Sequence, residues 1–125
     1  MTRYDSDNFD PPAPVASVTI RNPETGATVS NVSMLIDTGA DASLIPRNVA
    51  DQLELADNSG NQYELVGFDG AQSYASAVRA EIVLLRRVFR GQFLLIDQSW
   101  GILGRNVLNS IPLLLDGPEL NWDEA

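Results

Sequence analysis

Residues 32–46 read VSMLIDTGADASLIP, an apolar segment that runs into a carboxylate and a glycine and then turns apolar again. The acidic side chain is Asp37, and the five residues before it are suited to a buried β-strand. An Asp-Thr-Gly tripeptide by itself is typical of a turn. A carboxylate at the end of a buried strand is nevertheless costly unless it is paired or used. The chain contains this tripeptide once.

Composition limits the chemistry that this chain can perform. Its 125 residues, 44% of them apolar, predict one domain with an ordinary core. With 8 basic and 17 acidic residues, the net charge is −9, which argues against nucleic acid or an anionic membrane as a partner. The absence of His and Cys excludes Ser-His-Asp and Cys-His catalysis and His-ligated or Cys-ligated zinc. An enzyme with this composition has to use carboxylates.

The sequence as it stands predicts no targeting signal. Residues 1–10 are polar and acidic, the reverse of a signal peptide, and the apolar runs at 82–85 and 93–96 are too short to span a bilayer. We therefore expect a soluble, cytoplasmic protein.

The pattern along the chain predicts an all-β domain with one or two short helices. Strands are expected at 15–21, 27–36, 79–88, 91–96 and 112–116, a helix at 46–55, and one or two helical turns ending at 109. Residues 62–66 and 73–78 are expected to form a hairpin with Gly67-Phe68-Asp69-Gly70 at its tip. Residues 56–61 are interpreted as turns, 1–14 as a flexible arm and 117–125 as an acidic tail.

Two carboxyl groups a few ångströms apart cannot both ionise, so the pair shares a proton. The ionised member can then take a proton from water while the protonated member polarises an amide carbonyl. A Thr hydroxyl and a Gly beside each carboxylate suit this arrangement, because they allow two loops to bond and approach closely.

A second motif, Ile102-Leu103-Gly104-Arg105-Asn106, follows Asp37 by 65 residues. With this motif, the chain resembles the retropepsins, single-domain aspartic proteases of the retroviral type, and their cellular relatives of the DNA-damage-inducible type. The resemblance covers residues 15–116. It implies a closed, barrel-like β domain with a flap hairpin, peptide or protein substrates, a homodimer, and neither metal nor organic cofactor.

The resemblance also implies roles for individual residues. Asp37 is the expected catalytic residue, Thr38 the cross-subunit hydrogen-bonding residue, and Gly104 a support for the site. Asp41 is expected to bind substrate backbone and to form an ion pair with Arg105. The complete set of expected substrate-binding residues is Gly39, Asp41, Gly67, Phe68, Trp100 and Ile102.

Ala40 and Trp100 carry more specific expectations. A Ser in place of Ala40 could donate a hydrogen bond to the catalytic carboxylate and stabilise its charged form. Ala40 cannot, which predicts a mildly acidic rather than strongly acidic pH optimum. Trp100 can line a specificity pocket or be an ordinary core residue.

Several alternatives remain open from the sequence. The chain could be a non-catalytic or latent module of the same fold that dimerises or binds peptides. The basic cluster Arg86, Arg87 and Arg90 is either a nucleic-acid patch or a solvated hairpin turn, and the net charge favours the turn. Acidic residues at the two ends could bind a hard cation, but they match no ligand loop and favour solubilising tails. Dimer contacts are expected to involve residues 112–116.

Overall fold

The computed structural model describes residues 1–55, 57–66 and 72–125, with the backbone alone for 57–66 and 72–75. The strands are β1 (Thr2–Arg3), β2 (Val15–Arg21), β3 (Thr28–Ile36), β4 (Leu44–Pro46), β5 (Asp57–Val66), β6 (Gln72–Leu84), β7 (Arg87–Ile96), β8 (Gly101–Leu103), β9 (Leu113–Asp116) and β10 (Asn121–Glu124). The helices are α1 (Arg47–Gln52) and α2 (Arg105–Leu108). The predicted all-β class with short helices is confirmed.

Six strands close into a barrel. The order β2-β3-β8-β4-β7-β6 returns to its start because β6 also pairs with β2. Strand β3 lies parallel to β8, and β4 lies parallel to β7, while the other pairs are antiparallel. Closure removes the free edges that an open sheet of this size would present.

Alternation of side chains along each strand fills this barrel. In β2, the side chains of Ala16, Val18 and Ile20 are buried, whereas those between them are partly or fully exposed. Met34 and Ile36 of β3 face the same core, because side chains two residues apart point to one face of a strand. The last inward residue of β3 therefore precedes Asp37 directly.

The two arms of the predicted flap hairpin are confirmed. Strands β5 and β6 pair antiparallel from Gln62 opposite Ser76 to Val66 opposite Gln72. Residues 57–61, interpreted as turns from their polar composition, belong to β5 instead. The predicted tip at 67–70 lies outside the described residues.

A second sheet joins the two ends of the chain, in the order β1-β10-β9. The interpretation of 117–125 as a tail differs from this structure, because Trp122 is only 4% exposed and its indole N–H donates to the Val15 carbonyl at 3.2 Å. The acidic neighbours of Trp122 made this segment look like a tail, but in the strand Asp123 points to the opposite face from the buried ring, and Glu124 forms an ion pair with Arg87.

Residues 1–14 are also paired rather than loose. Strand β1 lies antiparallel to β10, and Asp5 bridges Ala13. The Asp5 carboxylate accepts hydrogen bonds from the Asn8 side chain and from the backbone N–H groups of Asn8 and Asp7. The hydrogen bond from the Asn8 side chain is the largest cause that lowers the pKa of the Asp5 carboxyl, and the backbone bonds add to it. The same bonds organise the loop between Asp5 and Ala13. Order that rests on local side-chain hydrogen bonds needs no alternating apolar residues, so the sequence pattern did not indicate it.

Candidate active site

Asp37 follows the last residue of β3 and is half-buried. Its backbone N–H donates to the Leu103 carbonyl at 3.0 Å, which extends the β3–β8 pairing by one bond. Its side-chain Oδ1 accepts from the Gly39 N–H at 2.9 Å, and its carbonyl accepts from the Ala40 N–H at 3.2 Å. Backbone hydrogen bonds therefore fix the loop that carries Asp37, and the carboxylate itself accepts one of them, from Gly39.

The two sequence motifs meet through Ser43. Its hydroxyl accepts from the Gly104 N–H at 2.9 Å and donates to Asn106 Oδ1 at 2.7 Å. Ser43 is completely buried, so each of these bonds replaces one that water would have made. Sequence reasoning missed Ser43. The available signal was a single hydroxyl within an apolar run that follows the Asp-Thr-Gly loop.

Arg105 also braces the loop, but not in the expected way. Its backbone N–H donates to the Ala40 carbonyl at 2.8 Å, and its guanidinium Nη1 donates to the Thr38 carbonyl at 2.7 Å. Among the described residues no ion pair joins Arg105 to Asp41, so the structure corrects that expectation. Asp41 is exposed, and a hydrated carboxylate gains little from a surface cation.

Close approach explains the glycines of both motifs. A Cβ added at Gly104 would lie 2.3 Å from the Ala42 carbonyl oxygen and 3.0 Å from that of Ala40. A Cβ at Gly39 would lie 3.1 Å from Oδ1 of Asp37. The loop and the second motif pack so tightly that a side chain at Gly104 has no room.

A small apolar cluster lies outside the main core. Its buried members are Leu44, Ala77 and Leu94, and Ala42, Ile96 and Ile102 pack against them. Ala42 and Leu44 lie five and seven residues after Asp37, and Ile102 precedes the residue whose carbonyl binds the Asp37 N–H. This cluster therefore gives the neighbourhood of Asp37 an apolar surface.

Trp100 directly precedes β8 and is half-buried. Its ring contacts that of Phe9, with centroids 5.0 Å apart and planes inclined at 60°, a tilted geometry that aromatic pairs favour. Phe9 belongs to the N-terminal segment, and no pattern along the chain connects the two rings. The predicted substrate-binding residues Gly67 and Phe68 lie outside the described residues.

The basic cluster lies at the β6–β7 turn. Leu85 and Arg86 form a two-residue turn with positive φ at both positions. Arg87 binds Glu124 at 2.6 Å, and Arg90 binds the nearly buried Glu81. With Arg86 exposed and its neighbours in ion pairs, the structure agrees with a solvated hairpin turn.

Glu81 is covered by two guanidinium groups. Arg21 Nε lies 2.7 Å from its Oε1, and Arg90 approaches Oε2. The Arg21 guanidinium, helped by that of Arg90, holds the pKa of the Glu81 carboxyl below its ordinary value. This ion-pair cluster ties β2, β6 and β7 together on the outer surface of the barrel.

Within residues 1–55, 57–66 and 72–125, neither helix is long and apolar enough to cross a membrane.

Comparison with known proteins agrees with this geometry. No curated protein matches the chain by sequence. Among solved structures, EIAV protease complexed with the inhibitor HBY-793 matches with a TM-score of 0.57 and 22% identity, covering 86% of this chain and 91% of the viral one. That likeness shows a retropepsin-like fold. The sequence profile described as aspartyl protease matches residues 16–107, which include both motifs, and the chain therefore belongs to the aspartyl protease family.

Proposed function

We propose that this chain is an aspartic endopeptidase that works as a homodimer, with one Asp37 from each copy. The observation that carries the proposal is the half-buried Asp37 carboxylate, which accepts from the Gly39 N–H in a loop that Arg105 of the second motif holds by hydrogen bonds. A chain without His or Cys has few other ways to activate water. The aspartyl protease family and the retropepsin-like fold support the same chemistry.

The reaction follows from two carboxyl groups that share one proton. A water molecule between them loses a proton to the ionised carboxylate and attacks the carbonyl carbon of the peptide bond. The protonated carboxyl donates to the carbonyl oxygen as negative charge develops there. Collapse of the tetrahedral intermediate breaks the C–N bond, and the leaving amine takes a proton from the pair. Neither metal nor organic cofactor enters these steps.

Thr38 supports the homodimer. It is exposed, and its hydroxyl makes no hydrogen bond to any residue that the structure describes. We assign to this hydroxyl the cross-subunit bond that would hold the two Asp37 loops at the separation that proton sharing requires. Ala40 leaves the carboxylate without a hydroxyl donor at that position, in keeping with a mildly acidic optimum.

The apolar cluster beside Asp37 indicates the substrate. Its half-buried member Ile102 would contact apolar side chains of an extended peptide, because burying the rest of its apolar surface is favourable. Gly39 and Asp41, both exposed at the loop, would bind peptide backbone, and Trp100 would border the cleft. Gly67 and Phe68, which lie outside the described residues, remain predicted to bind substrate.

Digestion of a peptide library at mildly acidic pH tests the proposal. Asp37→Asn should abolish cleavage while the far-UV circular dichroism spectrum stays unchanged. Asp51→Asn is the matched control, since it makes the same change on an exposed helix residue, and it should cleave normally. Cleavage that survives Asp37→Asn would refute the mechanism. A wild-type chain that binds peptides but cleaves none between about pH 3 and 7 would be the non-catalytic module instead.

Mixing experiments test whether the site is shared. If each active site takes one Asp37 from each copy, adding excess Asp37→Asn chain to the wild type should draw wild-type chains into inactive heterodimers. Cleavage should then fall in proportion to the wild-type homodimers that remain. Excess Asp51→Asn should leave cleavage undiminished. An unchanged rate with Asp37→Asn in excess would show that one chain suffices.

A further inference from the structure

A row of charged side chains crosses the outer surface of the barrel. Arg21 of β2, Glu81 of β6 and Arg90 of β7 stand opposite one another on three neighbouring strands. Arg79 lies two residues before Glu81 and therefore on the same face of β6. Three guanidinium groups share one carboxylate here, which leaves a surplus of two positive charges on a chain whose net charge is −9.

The nearly buried Glu81 carboxylate holds two of these guanidinium groups in place. Its side chain is 5% exposed, whereas those of Arg21 and Arg90 are 34% and 78% exposed. Both arginines donate to it through Nε, and their Nη groups donate to no residue that the structure describes. Each guanidinium is thus oriented by the carboxylate while its Nη donors stay available to a ligand.

The third guanidinium, that of Arg79, has no protein partner. It is exposed and makes neither an ion pair nor a hydrogen bond within residues 1–55, 57–66 and 72–125. It borders a cavity of about 340 Å³, whose lining consists of Pro23, Arg79, Ala80, Glu81, Arg90 and Gly91. Cavities that hold small molecules measure about 300–1,000 Å³. An unpaired cation therefore lies beside a space large enough for a small ligand.

Charge and donor number indicate which anion fits this space. A carboxylate carries one negative charge on two oxygens, whereas a phosphomonoester carries about −1.5 to −2 at neutral pH on three acceptor oxygens. Guanidinium groups match phosphate oxygens with two parallel donors. The dianion balances the surplus of two positive charges. A long polyanion would also meet the acidic remainder of the surface, whose repulsion extends over about 8 Å at physiological salt.

We propose that the cavity between Arg79 and Arg90 is a binding site for a small phosphomonoester. The phosphate group accepts hydrogen bonds from the Arg79 guanidinium and from the Nη donors of Arg90, and the ester group fills the rest of the cavity. Glu81 is a positioning residue, because it fixes Arg90 without contacting the ligand. The bound phosphate links β6 to β7. This site requires neither peptide cleavage nor a homodimer.

Isothermal titration calorimetry of the full chain tests the ligand class at about pH 7.5, where the phosphate is a dianion. The probes are glycerol phosphate, inorganic phosphate and succinate, compared at one ionic strength set with sodium chloride. Glycerol phosphate should bind with a Kd on the order of 1 mM or lower, at least ~10-fold tighter than succinate. Succinate that binds as tightly would overturn the assignment to phosphate. Inorganic phosphate that binds as tightly or more tightly would overturn the assignment to an ester.

Matched variants test whether Arg79 contacts the phosphate. Arg79→Gln should weaken the binding of glycerol phosphate at least ~10-fold. Arg3→Gln is the control, since it removes the same charge from an exposed arginine of β1 that has no ion pair among the described residues. It should leave the Kd unchanged. Arg79→Lys keeps the charge but loses the paired donors, so its Kd should lie between those of Arg79→Gln and the wild type. Equal weakening by Arg79→Gln and Arg3→Gln would reduce the binding to general attraction and refute the site.

Two-dimensional NMR locates the bound ester. Glycerol phosphate should shift the Nε–H signals of Arg79 and Arg90 and the amide signals of residues 79–81 and 90–91, while those of the Asp37 loop stay in place. Shifts confined to other regions would overturn the proposal. These outcomes are separate from the proposed function. A chain that binds the ester but cleaves no peptide would refute the protease alone, and one that cleaves peptides but binds no ester would refute this site alone.

Discussion

Gly104→Ala probes the contact between the two motifs directly. Gly104 has φ −95° and ψ −176°, an extended conformation that Ala adopts freely, so any cost comes from packing rather than from backbone strain. The added Cβ would meet the Ala42 carbonyl oxygen at 2.3 Å, and a carbon atom normally stays about 1 Å further away. The Asp37 loop or β8 would have to move by about that distance.

The magnitude follows from this displacement. Overpacking a tight contact costs typically 1–3 kcal/mol, and here the opposing atom is backbone, so we expect about 3 kcal/mol. Replacing Gly stiffens the unfolded chain and returns about 0.4–1 kcal/mol. The free energy of unfolding should therefore fall by roughly 2–3 kcal/mol. A displacement of about 1 Å at a catalytic group can cost about 100-fold in rate, so peptide cleavage should fall more than folding does.

Gly91→Ala is the matched control, because a Cβ at Gly91 meets nothing within 4 Å. It should leave stability unchanged or raise it by up to about 1 kcal/mol. Urea unfolding followed by circular dichroism measures both variants. If Gly104→Ala unfolds within about 0.5 kcal/mol of Gly91→Ala, the close approach of the two motifs does not determine stability and the reasoning fails.

Three further changes test other contacts. Ser43→Ala should lower the free energy of unfolding by about 1–3 kcal/mol, since it leaves the buried Gly104 N–H without its acceptor; urea unfolding measures this, and no loss would contradict it. Glu81→Gln should destabilise the chain at neutral pH. Because the pKa of Glu81 is lowered on folding, this stabilisation is present above the ordinary Glu pKa and lost as pH falls, so the gap between variant and wild type should narrow below about pH 4.5. A gap that stays constant with pH would argue against the ion-pair cluster. Trp122→Ala should cost about 3–5 kcal/mol if the C-terminal strand is part of the core, whereas Leu120→Ala, at a 43% exposed residue, should cost far less; equal effects would mean that the strand does not dock as the structure has it.

Local pattern was enough for most of the barrel. Strand β2 was predicted at its observed bounds, because its alternating burial is visible in the order of residues. The β6–β7 turn was predicted at the wrong place, since the expected strands 79–88 and 91–96 leave the turn at 89–90, whereas it lies at 85–86. Two-residue turns with positive φ are usually marked by Asn or Gly, whereas this one uses Leu85 and Arg86. Tertiary pairing of the flanking strands overrides the unfavourable turn residues.

The candidate site also combines features that the sequence predicted with contacts that it did not. The types of residue that could act followed from the two motifs. The hydrogen bonds that hold the Asp37 loop against the second motif could not be predicted, because Ser43 and Arg105 bind partners more than 60 residues away along the chain. The expected pairing of Asp41 with Arg105 failed for this reason: the nearest acceptor for the guanidinium was a backbone carbonyl, which no sequence pattern displays.

The sequence alone limited the chemistry that is open to this protein, because the absence of His and Cys and the single Asp-Thr-Gly are properties of composition and local order. Only the tertiary structure decided how the ends of the chain are used. Acidic residues around Trp122 looked like a solvated tail, and they form a strand because burial of one indole ring outweighs the exposure of its neighbours. That strand leaves β9 at the edge of the sheet. A free edge is a property of strand order in space and cannot be read along the chain.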